Sequence, residues 1–149
     1  MPDENIDARI ISFIKKHHIF TLSTSHNNEP YACTCFYAYD ETANLFIFTS
    51  DEGTRHVAEM EKQRRVAGAI ALETKIIGKI QGIQFTGNST KLQGELYKKA
   101  RKRYLGKFPY AGFKELILWC IEPDFIKMTH NMLGFGTKLT WKKEGRPEK

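Results

Sequence analysis

One turn of the chain carries the residue types best suited to bind a phosphate. Residues 49–55 read TSDEGTR and lead from a predicted strand into a predicted helix. The free amide groups and the dipole of a helix N-terminus favour an anion. Ser50 and Thr54 add hydroxyl donors, and Arg55 adds a planar guanidinium that suits a phosphate. The alternative is an ordinary capped helix with a surface arginine, and the two acidic residues of the turn must point away if a phosphate is to bind.

The cysteines and histidines predict neither a metal centre nor a catalytic dyad. Cys33, Cys35 and Cys120 are an odd number without a Cys-X-X-Cys motif, which argues against a disulfide framework and against a zinc site. Cys33 and Cys35 are two residues apart and face the same side of a predicted strand, where small buried hydrophobic residues are the favoured interpretation. The spacing between the five histidines and these cysteines is not that of metal ligands. We therefore predict no metal site and assign no catalytic residue.

A basic segment follows in the second half of the chain. Residues 94–107 read GELYKKARKRYLGK and form a predicted helix with tyrosines at positions 97 and 104. Such a helix either binds nucleic acid or has a solvated basic face with its tyrosines turned inward. The net charge of +6 is compatible with both, and no zinc-finger, RRM or KH signature accompanies the segment. The solvated face is the favoured interpretation.

The elements that must position these residues are mostly short strands. Segments rich in β-branched and aromatic residues alternate with turn-forming residues, and three segments have helical periodicity. The predicted helices are 4–17, 54–63 and 94–107, and the predicted strands are 18–25, 31–39, 45–50, 65–73, 76–92 and 115–129. Pro123 requires a sheet edge or a bulge. The glycines at 78, 82 and 87 indicate bulges or places where a ligand or a second backbone comes close.

This order of elements predicts a mainly β protein with flanking helices (α+β), whose antiparallel strands form a barrel or a sandwich. The 149 residues fit one domain, which we assign to residues 1–141, with the segment 131–141 closing the fold and a charged, disordered tail at 142–149. No apolar run is long enough for a membrane span. The acidic N-terminus lacks the pattern of a signal peptide, so we expect a cytoplasmic protein.

Three motifs carry a resemblance to a known family. They are Thr54-Arg55-His56, the stretch GIQFTG at 82–87, and LGFG at 133–136 with Trp141. Through them the chain resembles, from about residue 6 to residue 141, the split-barrel flavin-binding superfamily typified by pyridoxamine 5'-phosphate oxidase, and within it the small bacterial group of YhbP-like proteins. The resemblance implies an antiparallel six-stranded split β-barrel of the FMN-binding type. It also implies a homodimer with two cofactor sites at the subunit interface.

The resemblance further implies where a flavin lies. The ring is expected against the backbone of residues 31–37, where small side chains permit a close approach, and the phosphate at the turn 49–55. Gln84 is expected at the pyrimidine edge of the flavin, or else is a solvent-facing strand residue. Trp141 and Phe135 either cover the partner's cofactor or belong to a dimer core. The full set of expected cofactor-binding residues is Ala32, Cys33, Thr34, Thr49, Ser50, Thr54, Arg55, His56, Lys79, Gln84 and Trp141.

The expected function is that of an FMN-dependent oxidoreductase of unknown substrate, in which the cofactor supplies the redox chemistry. A second hypothesis is a non-catalytic module that holds or senses a flavin or haem. Haem requires an axial ligand, so a histidine that projects into the cleft would favour haem. The third hypothesis is a nucleic-acid-binding barrel that uses the basic helix.

Overall fold

The computed structural model describes residues 6–145, which form three α-helices and seven β-strands. The helices are α1 (Ala8–Lys16), α2 (Arg55–Lys62) and α3 (Gly94–Lys107). The strands are β1 (Ile19–His26), β2 (Glu29–Asp40), β3 (Leu45–Thr49), β4 (Arg65–Ala71), β5 (Gln81–Lys91), β6 (Leu118–His130) and β7 (Lys138–Lys142). None of these helices has the length and apolar character needed to cross a membrane. From residue 146 onwards, the predicted tail lies outside the described residues.

Six of the strands close into a ring. The strands pair antiparallel in the order β3-β2-β1-β4-β5-β6-β7, and β3 also pairs with β6, which joins the two ends of the six-stranded part. One edge of β6 is shared, because residues 118–121 pair with β3 and residues 125–129 pair with β7. The predicted mainly β, antiparallel fold with six strands in its closed part is confirmed. The seventh strand, β7, lies mostly in the segment 131–141, which was predicted to close the fold but was not assigned a strand.

The bulge predicted at Pro123 is present in β6. Gly87 of β5 lies opposite Pro123 and Thr86 lies opposite Phe125, so Asp124 is an extra residue on the β6 side. A proline has no amide hydrogen to donate to the ladder, and the shift in register accommodates it. The irregularity falls where β6 changes its edge partner from β3 to β7.

The largest differences from the predicted boundaries are at the starts of α1, β5 and β6, and β6 begins at Leu118 and not at position 115. β5 begins at Gln81 and not at position 76, because residues 77–79 form a turn of 3-10 helix before the strand starts. α1 begins at Ala8 because Asp7 caps the helix, its carboxylate accepting a hydrogen bond of 2.8 Å from an amide of the first turn. Positions 4 and 5 of the predicted first helix lie outside the described residues.

Aromatic side chains fill the inside of the ring, and one helix covers part of its outside. Phe20, Phe46 and Phe85 are fully buried, and the last two stack with their centroids 4.3 Å apart. Outside the ring, α3 packs on β3 and the adjoining parts of β2 and β6, with Ala100 and Tyr104 turned inward as predicted for the tyrosines of this helix. The outward residues of β1, β4 and β5 remain exposed or half-exposed.

Candidate functional site

The uncovered outer face of the sheet presents mostly small side chains. One row crosses five strands: Thr34 of β2 lies opposite Thr21 of β1, and Ala69, Gln84 and Lys127 follow in β4, β5 and β6. With about 4.8 Å between neighbouring strands, the row is about 19 Å long. We call this surface the platform. Its residues are Thr21, Ser23, Ala32, Thr34, Ala67, Ala69, Gln84 and Lys127.

The platform results from the alternation of side chains along each strand. Leu22 of β1 and Ile70 of β4 point into the core, so their neighbours Thr21 and Ala69 point outward. Because the outward side chains are small, the main chain stays accessible to a flat ligand. Three of the expected cofactor-binding residues lie together on this surface, namely Ala32, Thr34 and Gln84.

Lysines border the platform on the side of β7. Lys127 is half-buried beside Gln84, and β7 places Thr140 opposite Lys127, with Lys138 and Lys142 on the same face. None of these three lysines forms an ion pair with another of the residues 6–145. Their charge is therefore available to an anionic group of a ligand. Lys127 is not among the predicted site residues, although the alternation in β6 places it on the same face as positions 125 and 129.

The guanidinium of Arg55, expected to bind a phosphate, is engaged within the chain. Its Nε donates to Oε2 of Glu59 at 2.9 Å, and its central carbon lies 4.3 Å from the ring centroid of Tyr31. Glu59 is buried and also accepts a hydrogen bond of 2.8 Å from Oγ1 of Thr24. The hydrogen bonds from Arg55 and then Thr24 hold the pKa of the Glu59 carboxyl below its usual range. Arg55 is thus already paired with an anion.

Other side chains of the turn 49–55 also make contacts within the chain. The side chain of Thr54 does not cap α2, because its hydroxyl donates to the carbonyl of Asp51 at 2.8 Å. The carboxylates of Asp51 and Glu52 point to lysines, Lys114 at 3.6 Å and Lys91 at 2.6 Å. The two acidic residues therefore do not crowd the helix N-terminus, but the hydroxyl of Thr54 is already engaged.

The turn and the platform lie on opposite faces of the sheet. Glu59 of α2 contacts Thr24, which points into the core of the chain, whereas Ser23 beside it belongs to the platform. In β2 likewise, Tyr31 faces Arg55 and Ala32 faces outward. The groups expected to bind the phosphate therefore lie on one face of β2, and the groups expected to contact the flavin ring lie on the other.

A cluster of two cysteines and a histidine lies on the inner face of β2. The Sγ atoms of Cys33 and Cys35 are 3.9 Å apart, and a ring nitrogen of His56 lies within 4.8 Å of both. Nε2 of His56 is 2.8 Å from Oγ of Ser50, which is buried. Burial lowers the pKa of His56. The contact between the two thiols lowers the pKa of Cys33 and raises that of Cys35, which burial raises further. The linear spacing of these residues did not predict the cluster.

The remaining expected residues lie neither on the platform nor in the cysteine–histidine cluster. Lys79 is exposed on the turn before β5, and Thr49 ends β3 opposite Leu118. Trp141 is only 4% exposed and belongs to the core of its own chain. Phe135, by contrast, is 83% exposed.

Exposed apolar side chains flank the platform. Ile19 and Phe36 form a cross-strand pair at one end of it, and Phe36 is 55% exposed. A second group lies on the turns 76–80 and 132–135, which are tied together by Nδ2 of Asn131 donating to the carbonyl of Ile77 at 2.8 Å. Apolar patches of this kind on a folded chain mark interaction surfaces.

Proteins similar in sequence match nearly the whole chain, although no model of a known protein family matches it. The chain is 36% identical over 141 residues to a UPF0306 protein of Klebsiella pneumoniae strain 342, covering 95% of this chain and 96% of the relative. It is 33% identical over 135 residues to a UPF0306 protein of Pasteurella multocida, covering 91% of each.

Solved structures share the fold at low sequence identity. A haem-binding protein of Mycobacterium smegmatis superposes with a TM-score of 0.72 at 14% identity, over 93% of this chain and 59% of that protein. A candidate pyridoxamine 5'-phosphate oxidase of Listeria innocua gives 0.65 at 15% identity, over 79% and 93%. An FAD-binding protein of Mesorhizobium loti gives 0.66 at 15% identity, over 83% and 92%. The ring of strands is thus a split barrel, the fold that these solved structures share.

Proposed function

Since the chain belongs to the UPF0306 family and has the split-barrel fold of the pyridoxamine 5'-phosphate oxidase-like proteins, we propose that it binds FMN on the platform, between two copies of the chain. The observation that carries this proposal is the row of small side chains from Thr34 to Gln84, with Lys127 at its end. A flavin ring requires a surface on which the main chain is accessible. Gln84 can donate to and accept from the polar edge of the ring, and the lysines attract the phosphate.

A second copy of the chain completes the site. The platform is an open surface with one wall, whereas small-molecule sites bury most of their ligand. A partner subunit supplies the other wall, and the exposed apolar pair Ile19 and Phe36 beside the platform offers it a contact area. The homodimer expected from the family resemblance is therefore part of the proposal.

The platform favours a flavin over haem. A haem-binding and an FAD-binding protein both share this fold, so the fold alone does not discriminate between the two cofactors. Haem requires an axial ligand from a side chain, and none of the platform residues is a histidine. FMN requires hydrogen bonds and a cation, which Gln84 and Lys127 provide.

The reaction that this site supports is redox chemistry of an unidentified substrate, with the flavin as the electron carrier. The protein's part is to hold and orient the ring, because the platform offers an amide and a cation but no carboxylate or imidazole to transfer a proton. The alternative is a protein that holds FMN without turnover. Rapid-mixing absorbance separates them, because an oxidoreductase is reduced by NADH, NADPH or a substrate and a passive carrier is not.

The test is FMN titration of the ligand-free protein, followed by flavin fluorescence. Ala69→Glu puts bulk and negative charge in the middle of the platform and should weaken FMN binding at least about tenfold. Ala8→Glu is the matched control, because it makes the same change at an exposed alanine of α1. Equal FMN affinity for the two variants would contradict binding on the platform.

A second pair of variants tests the phosphate contact. Lys127→Ala should cost about 1.5–3 kcal/mol of FMN binding, the range for a hydrogen bond to a charged group, which is about 10- to 150-fold in Kd. Arg55→Ala should leave the FMN affinity unchanged, because Arg55 is paired with Glu59 on the other face of β2. If Arg55→Ala weakened FMN binding and Lys127→Ala did not, the result would favour phosphate binding at the turn 49–55.

Sedimentation tests the second subunit. The wild-type chain of 17.2 kDa should sediment as a dimer, and Phe36→Glu should give monomers that bind FMN weakly. Leu96→Glu, at an exposed apolar residue of α3, should leave both properties unchanged. A wild-type monomer that binds FMN with full affinity would contradict the shared site.

A further inference from the structure

The cluster of Cys33, Cys35 and His56 is separate from the platform and has no part in the proposed FMN site. All three side chains lie on the inner face of β2 or on α2, which packs against that face. Ala32 and Thr34, the neighbours of Cys33 along the strand, point outward. Cys33 and His56 are half-buried, and Cys35 is 8% exposed. The cluster is therefore sheltered from bulk water but still reachable from the surface.

The geometry of the cluster matches a zinc ion. With zinc–sulfur bonds of about 2.3 Å and tetrahedral angles, the two thiolates of a zinc site lie about 3.8 Å apart, and the two Sγ atoms are 3.9 Å apart. The imidazole nitrogen lies within 4.8 Å of both sulfurs, so a third ligand atom is close to the two thiols. Two thiolates and one imidazole form a donor set that zinc prefers.

A disulfide explains the same pair less well. Residues two apart in an extended strand have Cα atoms about 6.6–6.8 Å apart, at the upper limit of the range of about 4.4–6.8 Å that a disulfide spans. Joining Cys33 to Cys35 would bring sulfurs that are 3.9 Å apart to about 2.05 Å, with distortion of β2. A bound ion needs no such movement.

The surroundings of His56 fit the role of a ligand. Val57 and Met60 of α2 are buried and fix the helix against the barrel. Nε2 of the imidazole lies 2.8 Å from Oγ of Ser50, and this contact fixes the orientation of the ring.

We propose that Cys33, Cys35 and His56 bind one Zn²⁺ ion per chain, with the fourth position open to water or to an external ligand. Three protein ligands and an open position are the arrangement of zinc sites that exchange a small molecule. The ion lies on one face of β2 and the proposed FMN on the other.

The test is competition between the reduced, metal-free protein and a chromogenic chelator for Zn²⁺. The wild type should bind one ion per chain. Cys33→Ala, Cys35→Ala and His56→Gln should each weaken binding by more than about a hundredfold, because loss of an outer contact alone costs about 10- to 100-fold. Cys120→Ala is the matched control, because Cys120 is 6% exposed and lies in the separate cluster under α3.

Three results would overturn the assignment: no zinc binding by the wild type, full affinity in His56→Gln, or an equal loss in Cys120→Ala. Binding of Cu⁺ without Zn²⁺ would also overturn it. Co²⁺ should give the near-ultraviolet absorption of a thiolate–cobalt bond in the wild type and lose it in the two cysteine variants.

A measurement on the wild type alone covers the case in which a variant does not fold. Zn²⁺ should slow alkylation of Cys33 by iodoacetamide, read by mass spectrometry of peptides, and leave the rate at Cys120 unchanged. Equal alkylation of Cys33 with and without zinc would overturn the proposal. FMN binding is not measured in any of these experiments, so each of the two proposed sites can be confirmed or rejected independently of the other.

Discussion

Gly87 closes the GIQFTG motif, and its substitution by alanine tests how closely two strands approach at the bulge. A Cβ atom at position 87 would lie 2.9 Å from the carbonyl carbon of Glu122 and from Cγ2 of Ile121, and nearer still to the carbonyl oxygen of Glu122. Real Cβ atoms do not make such contacts, and the Glu122 carbonyl is main chain beside Pro123, so it cannot rotate away as a side chain can.

The expected magnitude follows from two opposing terms. Overpacking a filled site lowers the free energy of unfolding by up to about 3 kcal/mol. Replacing glycine by alanine in a strand raises it by about 0.5–1 kcal/mol, because less backbone entropy is lost on folding. Gly87→Ala should therefore lose about 2 kcal/mol of the free energy of unfolding. At about 2–4 °C per kcal/mol for a chain near this size, the Tm should fall by about 4–8 °C.

Urea unfolding followed by the fluorescence of the two buried tryptophans is the assay, and Gly82→Ala in the same strand is the control. A Cβ at position 82 would lie 3.3 Å from the carbonyl oxygen of Ile70, a contact that small shifts relieve. Gly82→Ala should change stability by less than about 1 kcal/mol. Equal stability of the two variants would refute the close approach of β5 to β6 at the bulge.

Two further predictions concern buried charges. Arg55→Ala should reduce stability at neutral pH, because Glu59 loses its ion pair. As the pKa of Glu59 is lowered in the folded chain, the difference from wild type in urea unfolding should shrink as the pH falls through that lowered value. A difference that stays constant over the whole acid range in which the protein folds would contradict the pairing. Lys107 donates to the carbonyls of His17 and Tyr37 at 2.6 and 3.0 Å, and burial lowers its pKa to about 8. Between about pH 8 and about pH 10.4 the unfolded chain therefore keeps a proton that the folded chain has lost, so wild-type stability should rise with pH relative to Lys107→Met, and parallel pH profiles would contradict this.

The sequence predicted those features that depend on neighbours along the chain. Runs of β-branched and aromatic residues between turn-forming residues located the strands. The missing amide of Pro123 required an edge or a bulge in β6, and the structure has the bulge. The resemblance implied the six-stranded split barrel. The start of β5 was wrong because isoleucines at positions 76, 77 and 80 favour a strand by propensity, although the structure exposes them on a turn.

The site was harder to predict because its contacts cross the fold. His56 reaches Cys33 and Cys35 only when α2 packs on the inner face of β2, and no local spacing encodes that contact. Lys127 meets Gln84 through the register of β5 on β6, which the bulge shifts. One contact was available in the sequence: Arg55 and Glu59 are four residues apart in a predicted helix, the spacing of an ion pair.

The sharing of one edge of β6 between β3 and β7 bears on the behaviour of the chain at high concentration. β3 is hydrogen-bonded on both sides, by β2 and β6, whereas β7 pairs on one side only among the described strands. An open strand edge is a template on which another molecule can add a strand and start a fibril. β7 has only five residues and begins and ends with lysine, so mutual repulsion and shortness protect this edge. Neutralising Lys138 and Lys142 should therefore make the protein prone to aggregation before it changes its fold.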